Sequence, residues 1–145
     1  MERLFSQFCP DHYQLEYRIN KETEKIYAKA IIFGEKTEKS KNTLKLHAKN
    51  LKIVSIKQKN SIKTFNQSED ILEINDIDSR KIELEIIYTF NINHNMEGVY
   101  LSTYQHQSKT EKIISTQFES HYARQAFPCI DEPEAKATFE LKIID

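Results

Sequence analysis

The chain has 145 residues, enough for one domain that buries a core without needing a disulfide or a structural metal. Its 21 Lys and Arg nearly balance its 22 Asp and Glu, and a formal net charge of -1 disfavours a nucleic-acid or membrane-surface partner. The sequence has only two glycines and no Cys-x-x-Cys or His-Glu-x-x-His motif, which disfavours a phosphate-binding glycine loop and a zinc site made by this chain alone.

The amino-terminal residues show no basic segment followed by an apolar run, and no window of the sequence approaches the length of an apolar membrane span. Cys9 and Cys129 lie far apart, so a reducing compartment is favoured over a bridge between them. We therefore expect a cytoplasmic protein with no membrane partner.

Alternation of apolar and polar residues is the dominant pattern along the chain, and it is typical of half-buried strands. It predicts strands at 12–19, 26–33, 43–48, 51–56, 71–74, 81–90, 113–119 and 137–143, with weaker ones near 62–65 and 96–104. The pattern is clearest in 81–90, where every second residue is a large apolar one. A helix would scatter those residues around its circumference.

The connections carry further expectations. Strands 12–19 and 26–33 are predicted to form a hairpin, with a bulge or a doubly buried segment at Ile31 and Ile32. Residues 34–42 contain no apolar side chain and predict a solvated loop, and 105–112 a polar hairpin tip. The short turn after 43–48 predicts antiparallel pairing with 51–56.

Frequent turns and almost no helical periodicity predict an all-β fold. We expect a single β domain over residues 1–145, an antiparallel β-sandwich or curved, saddle-like sheets of about eight or more strands. At most one short helical turn is expected, at 121–126, with Ser120 as its cap.

The stretch 116–142 is the densest in special residues. Taken alone, these residues favour a structural corner, with Arg124 bridging Asp131 or Glu132, over a binding site, because ion-pair networks imitate sites. Cys129 is expected to be a small core residue and not a nucleophile, since no histidine is placed by sequence to activate it.

The same stretch carries a family resemblance. TQFE at 116–119, ARQAFPCIDEP at 123–133 and KATFELKI at 136–143 resemble the end of the amino-terminal β domain of the zinc metallo-aminopeptidases of the aminopeptidase N family, the gluzincins. PDHYQLEYRI at 10–19, LKLHAKNLKIVSI at 44–56 and MEGVYLSTY at 96–104 resemble the family's opening strand, middle hairpin and Gly-x-Tyr-x-Ser segment.

The resemblance implies a substrate-binding role. Glu119 would receive the α-ammonium of a peptide, and Gln117 would contact the first residue of the substrate. The residues alone leave open a capping or surface carboxylate at Glu119. No catalytic or metal-binding residue is expected in this chain, because the family's zinc ligands lie in a following catalytic domain whose motifs do not occur here.

The resemblance also implies two partners. One is the amino terminus of a peptide, and the other is a catalytic domain of the same polypeptide, which holds the zinc. It implies that this chain alone has no peptidase activity, and that an apolar patch near Phe118 and Phe127 is exposed without the catalytic domain. The alternative is a stand-alone, non-catalytic β-sandwich binding module that kept the fold.

Overall fold

A computed structural model describes residues 3–37, 42–118 and 122–144. These residues form eleven strands and two three-residue 3₁₀ turns, Leu4–Ser6 and Ala123–Gln125, of which the sequence predicts only the second. The strands are β1 (Phe8–Asn20), β2 (Lys25–Lys36), β3 (Leu44–His47), β4 (Lys52–Gln58), β5 (Ser61–Ile62), β6 (Phe65–Ser68), β7 (Ile71–Ile74), β8 (Lys81–Asn91), β9 (Gly98–His106), β10 (Lys109–Gln117) and β11 (Thr138–Ile144). Neither turn has the length or hydropathy that a membrane-spanning helix needs, in the ranges described. The all-β prediction is confirmed.

The largest sheet has six strands in the order β11-β1-β2-β8-β4-β5. The predicted hairpin of β1 and β2 is present, and the alternate residues predicted to face inward on β8 are all buried. The predicted irregularity at Ile31 and Ile32 is wrong, because both pair regularly with β1 and the register shifts instead between Pro10 and His12. Ile31 is a half-buried residue on the outer face, so it interrupts the polar pattern without interrupting the strand.

A second sheet, β3-β7-β6, contributes to the same core. The predicted pairing of β3 with β4 is wrong, because β3 pairs with β7 and β4 with β8. Asn50 adopts a left-handed conformation (φ 59°) between two buried residues, Ala48 and Leu51. The short connection therefore carries the chain from one sheet to the other.

Strand β2 continues into the stretch predicted to be a loop. Gly34 is buried in the ladder, where a Cβ atom would lie 2.4 Å from the Cys9 carbonyl oxygen and 2.6 Å from Pro10 Cα. Only glycine fits so close an approach of two backbones. Lys36 is only 7% exposed, and its ammonium group donates to the Ile77 carbonyl. Burial lowers the pKa of Lys36. Residues 38–41 of the predicted loop lie outside the described residues.

Strands β9 and β10 form a separate hairpin. Its tip is shorter than predicted, because only Gln107 and Ser108 lie between the strands, both in the left-handed region that tight hairpin turns require. The polar residues around the tip are in the ladder and exposed, so the hairpin is held there by backbone hydrogen bonds and not by a core.

Strand β11 departs from the expected antiparallel arrangement, because it pairs in parallel with β1 at the edge of the large sheet. Its residues Phe139, Leu141 and Ile143, which we call the β11 stripe, lie opposite Tyr13, Leu15 and Tyr17. Those three β1 residues are buried, whereas the β11 stripe is 53 to 59% exposed. The core-facing side of the large sheet thus continues onto β11, where more than half of each apolar side chain of the β11 stripe is exposed.

Candidate functional site

Gln117 is the last residue of β10 and pairs with Gly98, the first residue of β9. Its side chain is exposed at the base of the hairpin. The other predicted substrate-binding residue, Glu119, lies outside the described residues, as does Ser120, the predicted cap. The structure therefore places one of the two predicted site residues, and it describes both flanks of residues 119–121.

The two flanks are joined by backbone contacts. The N–H of Tyr122 donates to the Phe118 carbonyl at 3.0 Å, and the N–H of Gln125 donates to the Tyr122 carbonyl at 3.0 Å. The second bond begins the 3₁₀ turn Ala123–Gln125, which Tyr122 precedes without a side-chain cap. The end of β10 and the start of this turn are thus held close together.

Gly98 lies where the hairpin meets the 3₁₀ turn. Its φ of +63° is a conformation that favours glycine, and a Cβ atom there would lie 3.0 Å from Gln125 Cβ and 3.6 Å from the Tyr122 carbonyl oxygen. Asn93 and Glu97 complete the contact through hydrogen bonds with Gln125. The sequence gives no signal for these partners except the glycine, which predicts a bend or a close approach.

The predicted corner is confirmed. The Arg124 guanidinium bonds Asp131 through Nε at 3.0 Å and Asp70 through Nη1 at 3.3 Å, and the side chains of Arg124 and Asp131 are only 12% and 14% exposed. Of the two predicted partners Asp131 is the one used. Asp70 lies in the turn between β6 and β7 of the second sheet, too far along the sequence for spacing to reveal it.

Glu132 has a different task. Its carboxylate accepts the backbone N–H of Leu4 at 2.8 Å and of Phe5 at 3.0 Å, the first two residues of the amino-terminal 3₁₀ turn. Arg3 approaches the same carboxylate at 3.7 Å. The neighbouring acids Asp131 and Glu132 therefore fix two different segments.

Tyrosine hydroxyls hold the buried part of the corner. Tyr17 from β1 and Tyr88 from β8 both donate to the Ala126 carbonyl, at 2.7 and 2.9 Å, and the hydroxyl of Tyr13 accepts the Ile130 N–H at 3.3 Å. Burial raises the pKa of all three tyrosines well above the ordinary value near 10. They stay protonated and serve as fixed donors and acceptors within the core.

Cys129 is a buried core residue, as the sequence predicts. Both cysteines are free thiols, and burial raises the pKa of the Cys129 thiol, which disfavours the reactive thiolate. His47 exchanges both backbone hydrogen bonds with Cys129, and its Nδ1 accepts the Asp131 N–H at 2.9 Å. These contacts connect the corner to β3.

The expected apolar patch is only partly where the sequence places it. Phe118 is 37% exposed, but Phe127 is 5% exposed and packs edge-on against Phe118, Tyr13 and Phe139. Phe127 is therefore a core residue. The larger exposed apolar surface is the β11 stripe, which reaches Phe127 through Phe139.

In residues 3–37, 42–118 and 122–144, no three His, Cys, Asp or Glu side chains are arranged to hold a metal ion. The polar side chains next to Gly98, the ladder partner of Gln117, are two amides and one carboxylate, and they hydrogen bond to one another. The described geometry supports binding and positioning, and we assign no hydrolytic step to it.

Comparison with known proteins identifies the family. Residues 9–145 match the profile of the peptidase M1 N-terminal domain. The chain is 35% identical to aminopeptidase N of Lactobacillus helveticus and 37% identical to that of Lactococcus lactis subsp. cremoris (strain MG1363), with 99% of the chain but 17% of each relative covered.

A puromycin-sensitive aminopeptidase of Caenorhabditis elegans is 37% identical over 114 residues, which are 70% of this chain and 12% of that protein. The chain thus spans less than a fifth of the length of the relatives it matches. Because the family profile and the bacterial relatives each cover almost the whole of it, the chain belongs to the family of amino-terminal domains of M1 aminopeptidases.

Proposed function

We propose that this chain is the substrate-recognition domain of a zinc aminopeptidase, in which Glu119 and Gln117 bind the amino terminus of a peptide. The observation that carries the proposal is the family match over residues 9–145, which covers only 17% of relatives named aminopeptidase N. Peptide-bond hydrolysis then belongs to the part of those proteins outside the match, and the zinc with it.

Glu119 supplies the negative charge that an exopeptidase needs in order to recognise the amino terminus of a peptide. A free α-ammonium is a cation with three donors, and a fixed carboxylate accepts from it in charge-assisted hydrogen bonds. Each such bond contributes about 1.5 to 3 kcal/mol. A carboxylate at a set distance from the hydrolytic centre therefore selects the first peptide bond of a chain.

Gln117 is suited to the neighbouring contact. Its position at the end of β10, exposed and beside the partly exposed Phe118, supports a role toward the first residue of a bound peptide. Its amide can donate to a carbonyl and accept from an N–H, so one side chain can satisfy either group of a peptide backbone.

The β11 stripe supports a contact with the rest of such a polypeptide. Its three side chains are each more than half exposed, and they continue the apolar face formed by the buried residues Tyr13, Leu15 and Tyr17. Contiguous exposed apolar surface of this kind marks an interaction site. We propose that the catalytic part of the aminopeptidase covers the β11 stripe and that a peptide binds between the two parts.

A chimera tests the proposal. Residues 1–145 replace the matching segment of Lactobacillus helveticus aminopeptidase N, and cleavage of an aminoacyl anilide is measured. The unchanged chimera should cleave, and Glu119→Gln, which keeps the shape but removes the charge, should lower kcat/KM about 10- to 100-fold. Glu111→Gln is the matched control, because it also removes a carboxylate but from near the start of β10, away from its end at Gln117. It should leave kcat/KM within about twofold.

Two results would overturn the proposal. A folded, zinc-loaded chimera that cleaves no substrate would contradict the proposal that this domain is part of an aminopeptidase. An active chimera in which Glu119→Gln matches Glu111→Gln would remove the amino-terminus-binding role.

A further inference from the structure

We infer that Asn93, Glu97, Gly98 and Gln125, here called the Gly98 junction, set the spacing of the two flanks of residues 119–121, which are the end of β10 and Tyr122 before the 3₁₀ turn. The inference rests on the proposed function, since it concerns how Gln117 and the residues after it are presented to a peptide. None of the four is proposed to touch the substrate. They are positioning residues, and they act through the two flanks of residues 119–121.

Gly98 meets both flanks at once. On one side it pairs in the ladder with Gln117, at the end of β10. On the other side it lies against Tyr122 and Gln125: a Cβ atom would be 3.6 Å from the Tyr122 oxygen and 3.0 Å from Gln125 Cβ. The spacing of the two flanks is therefore set by how closely the hairpin and the 3₁₀ turn approach at Gly98.

Hydrogen bonds between side chains fix that approach. Gln125, only 4% exposed, accepts from Asn93 Nδ2 at 3.0 Å through Oε1 and approaches Glu97 Oε2 at 3.4 Å through Nε2. Asn93 Nδ2 also donates to the Glu97 carbonyl at 2.7 Å. The buried Gln125 amide and the partly buried Asn93 amide have one favourable arrangement, because any other leaves a polar group unsatisfied.

Asn93 is itself tied to the hairpin. Its N–H donates to the Val99 carbonyl at 2.9 Å, and its carbonyl accepts from Leu101 at 2.8 Å. Asn93 therefore moves with β9, whereas Gln125 moves with the 3₁₀ turn. The Gly98 junction joins the hairpin to the 3₁₀ turn, and it does so through polar groups whose hydrogen bonds can be changed without removing core side chains.

The anchors of the turn to the core are separate. Arg124 is held by Asp131 and Asp70, and the Ala126 carbonyl by Tyr17 and Tyr88. A change confined to Gln125 leaves those contacts in place. It should therefore shift the 3₁₀ turn relative to the hairpin while the domain stays folded.

The charge of Glu97 offers a direct test. Gln125→Glu keeps an oxygen that can accept from Asn93, but it replaces the amide nitrogen that faces the Glu97 carboxylate with a second oxygen. Two carboxylates in contact repel each other when both are ionised. The Gly98 junction should open at neutral pH and close again when the pair shares a proton. Adding Glu97→Gln removes the repulsion and restores a donor, so the double variant should behave like the parent.

The experiment uses the chimera with an aminoacyl anilide. In Q125E the KM should rise about tenfold at pH 8 with kcat within about twofold, since a small displacement of Gln117 relative to the 3₁₀ turn weakens capture. The rise should shrink as the pH is lowered toward 6. The Q125E/E97Q double variant should keep KM within twofold of the parent, and thermal unfolding should show both variants folded.

The outcomes separate the inference from the proposed function. If Q125E leaves KM unchanged, or if adding E97Q does not restore it, the positioning role is overturned, while a lowered kcat/KM in Glu119→Gln still supports the proposed function. If Glu119→Gln also leaves kcat/KM unchanged, the proposed function fails and the inference fails with it.

Discussion

The corner at 123–132 and the terminal strand β11 lie close together in the sequence but are stabilised in opposite ways. The corner has little regular structure, yet residues 125–130 are all buried, and its polar groups are bonded to three other strands. Strand β11 is regular, yet none of its residues is buried and its ladder contacts are to β1 alone.

The comparison shows that regularity and stability are separate properties here. The irregular segment is held by core burial, tyrosine hydroxyls and ion pairs, and the regular one by ladder hydrogen bonds, the ring contacts of Phe139 and an exposed ion pair. Substituting a polar residue in the corner should therefore lower the free energy of unfolding more than substituting a large apolar residue on β11. In most proteins the apolar substitution is the more destabilising of the two.

Arg124→Ala should produce the largest effect of any single substitution. It leaves the nearly buried Asp131 carboxylate without its cation, and breaking such a pair from one side costs about 3 kcal/mol. Denaturant unfolding of the isolated chain measures the loss. Lys142→Ala on β11 removes an exposed pair, at 3.8 Å from Glu16, and should cost less than about 0.5 kcal/mol. Equal costs for the two variants would contradict the contrast between the regions.

Alkaline pH should weaken the corner next. Burial raises the pKa of Tyr13, Tyr17 and Tyr88, so above pH 10 the unfolded chain loses their protons first and ionisation favours unfolding. The stability these groups contribute is complete below pH 10 and is lost as the pH rises toward their folded pKa values. Each should remove about 1.4 kcal/mol per pH unit.

Denaturant unfolding between pH 9 and 11 measures this loss. Tyr88→Phe should reduce the slope of stability against pH by about one tyrosine's share. At neutral pH it should cost about 1 kcal/mol, since the Ala126 carbonyl keeps its bond from Tyr17. Tyr27→Phe is the control, because Tyr27 is 49% exposed and should leave the slope unchanged. A Tyr88→Phe slope equal to that of the parent would exclude the buried tyrosines as the cause.

The same contrast explains what the sequence could and could not predict. Strands such as β8 follow from alternation, because every inward residue meets one continuous core. The Arg124–Asp131 pair could be predicted because its partners are seven residues apart. The parallel partner of β11 and the separation of β3 from β4 depend on contacts between distant segments, which local patterns do not encode.

The candidate site divides in the same way. Gln117 and Glu119 were identified by resemblance to a family and not by their spacing, and the role of each stays a prediction. The partners of Gln125 come from the stretch 93–97, where the polar sequence looks like an ordinary turn. Only folding shows that these amides face each other.

A small effect on stability is also expected in the β11 stripe, for the double variant Leu141→Ser and Ile143→Ser. Both side chains are more than half exposed, so the loss should stay below about 1 kcal/mol. The isolated parent chain should self-associate at high concentration, because an uncovered apolar edge strand pairs readily, and the double variant should stay monomeric.

Light scattering during gel filtration measures the association. Val54→Ser with Ile62→Ser is the matched control, since these residues are 57% and 71% exposed at the opposite side of the large sheet, on β4 and β5. If the control suppressed association as well as the stripe variant, general surface hydrophobicity would be the cause. Loss of association in the stripe variant alone would instead locate the incomplete face on β11, beside a corner that is complete within the chain.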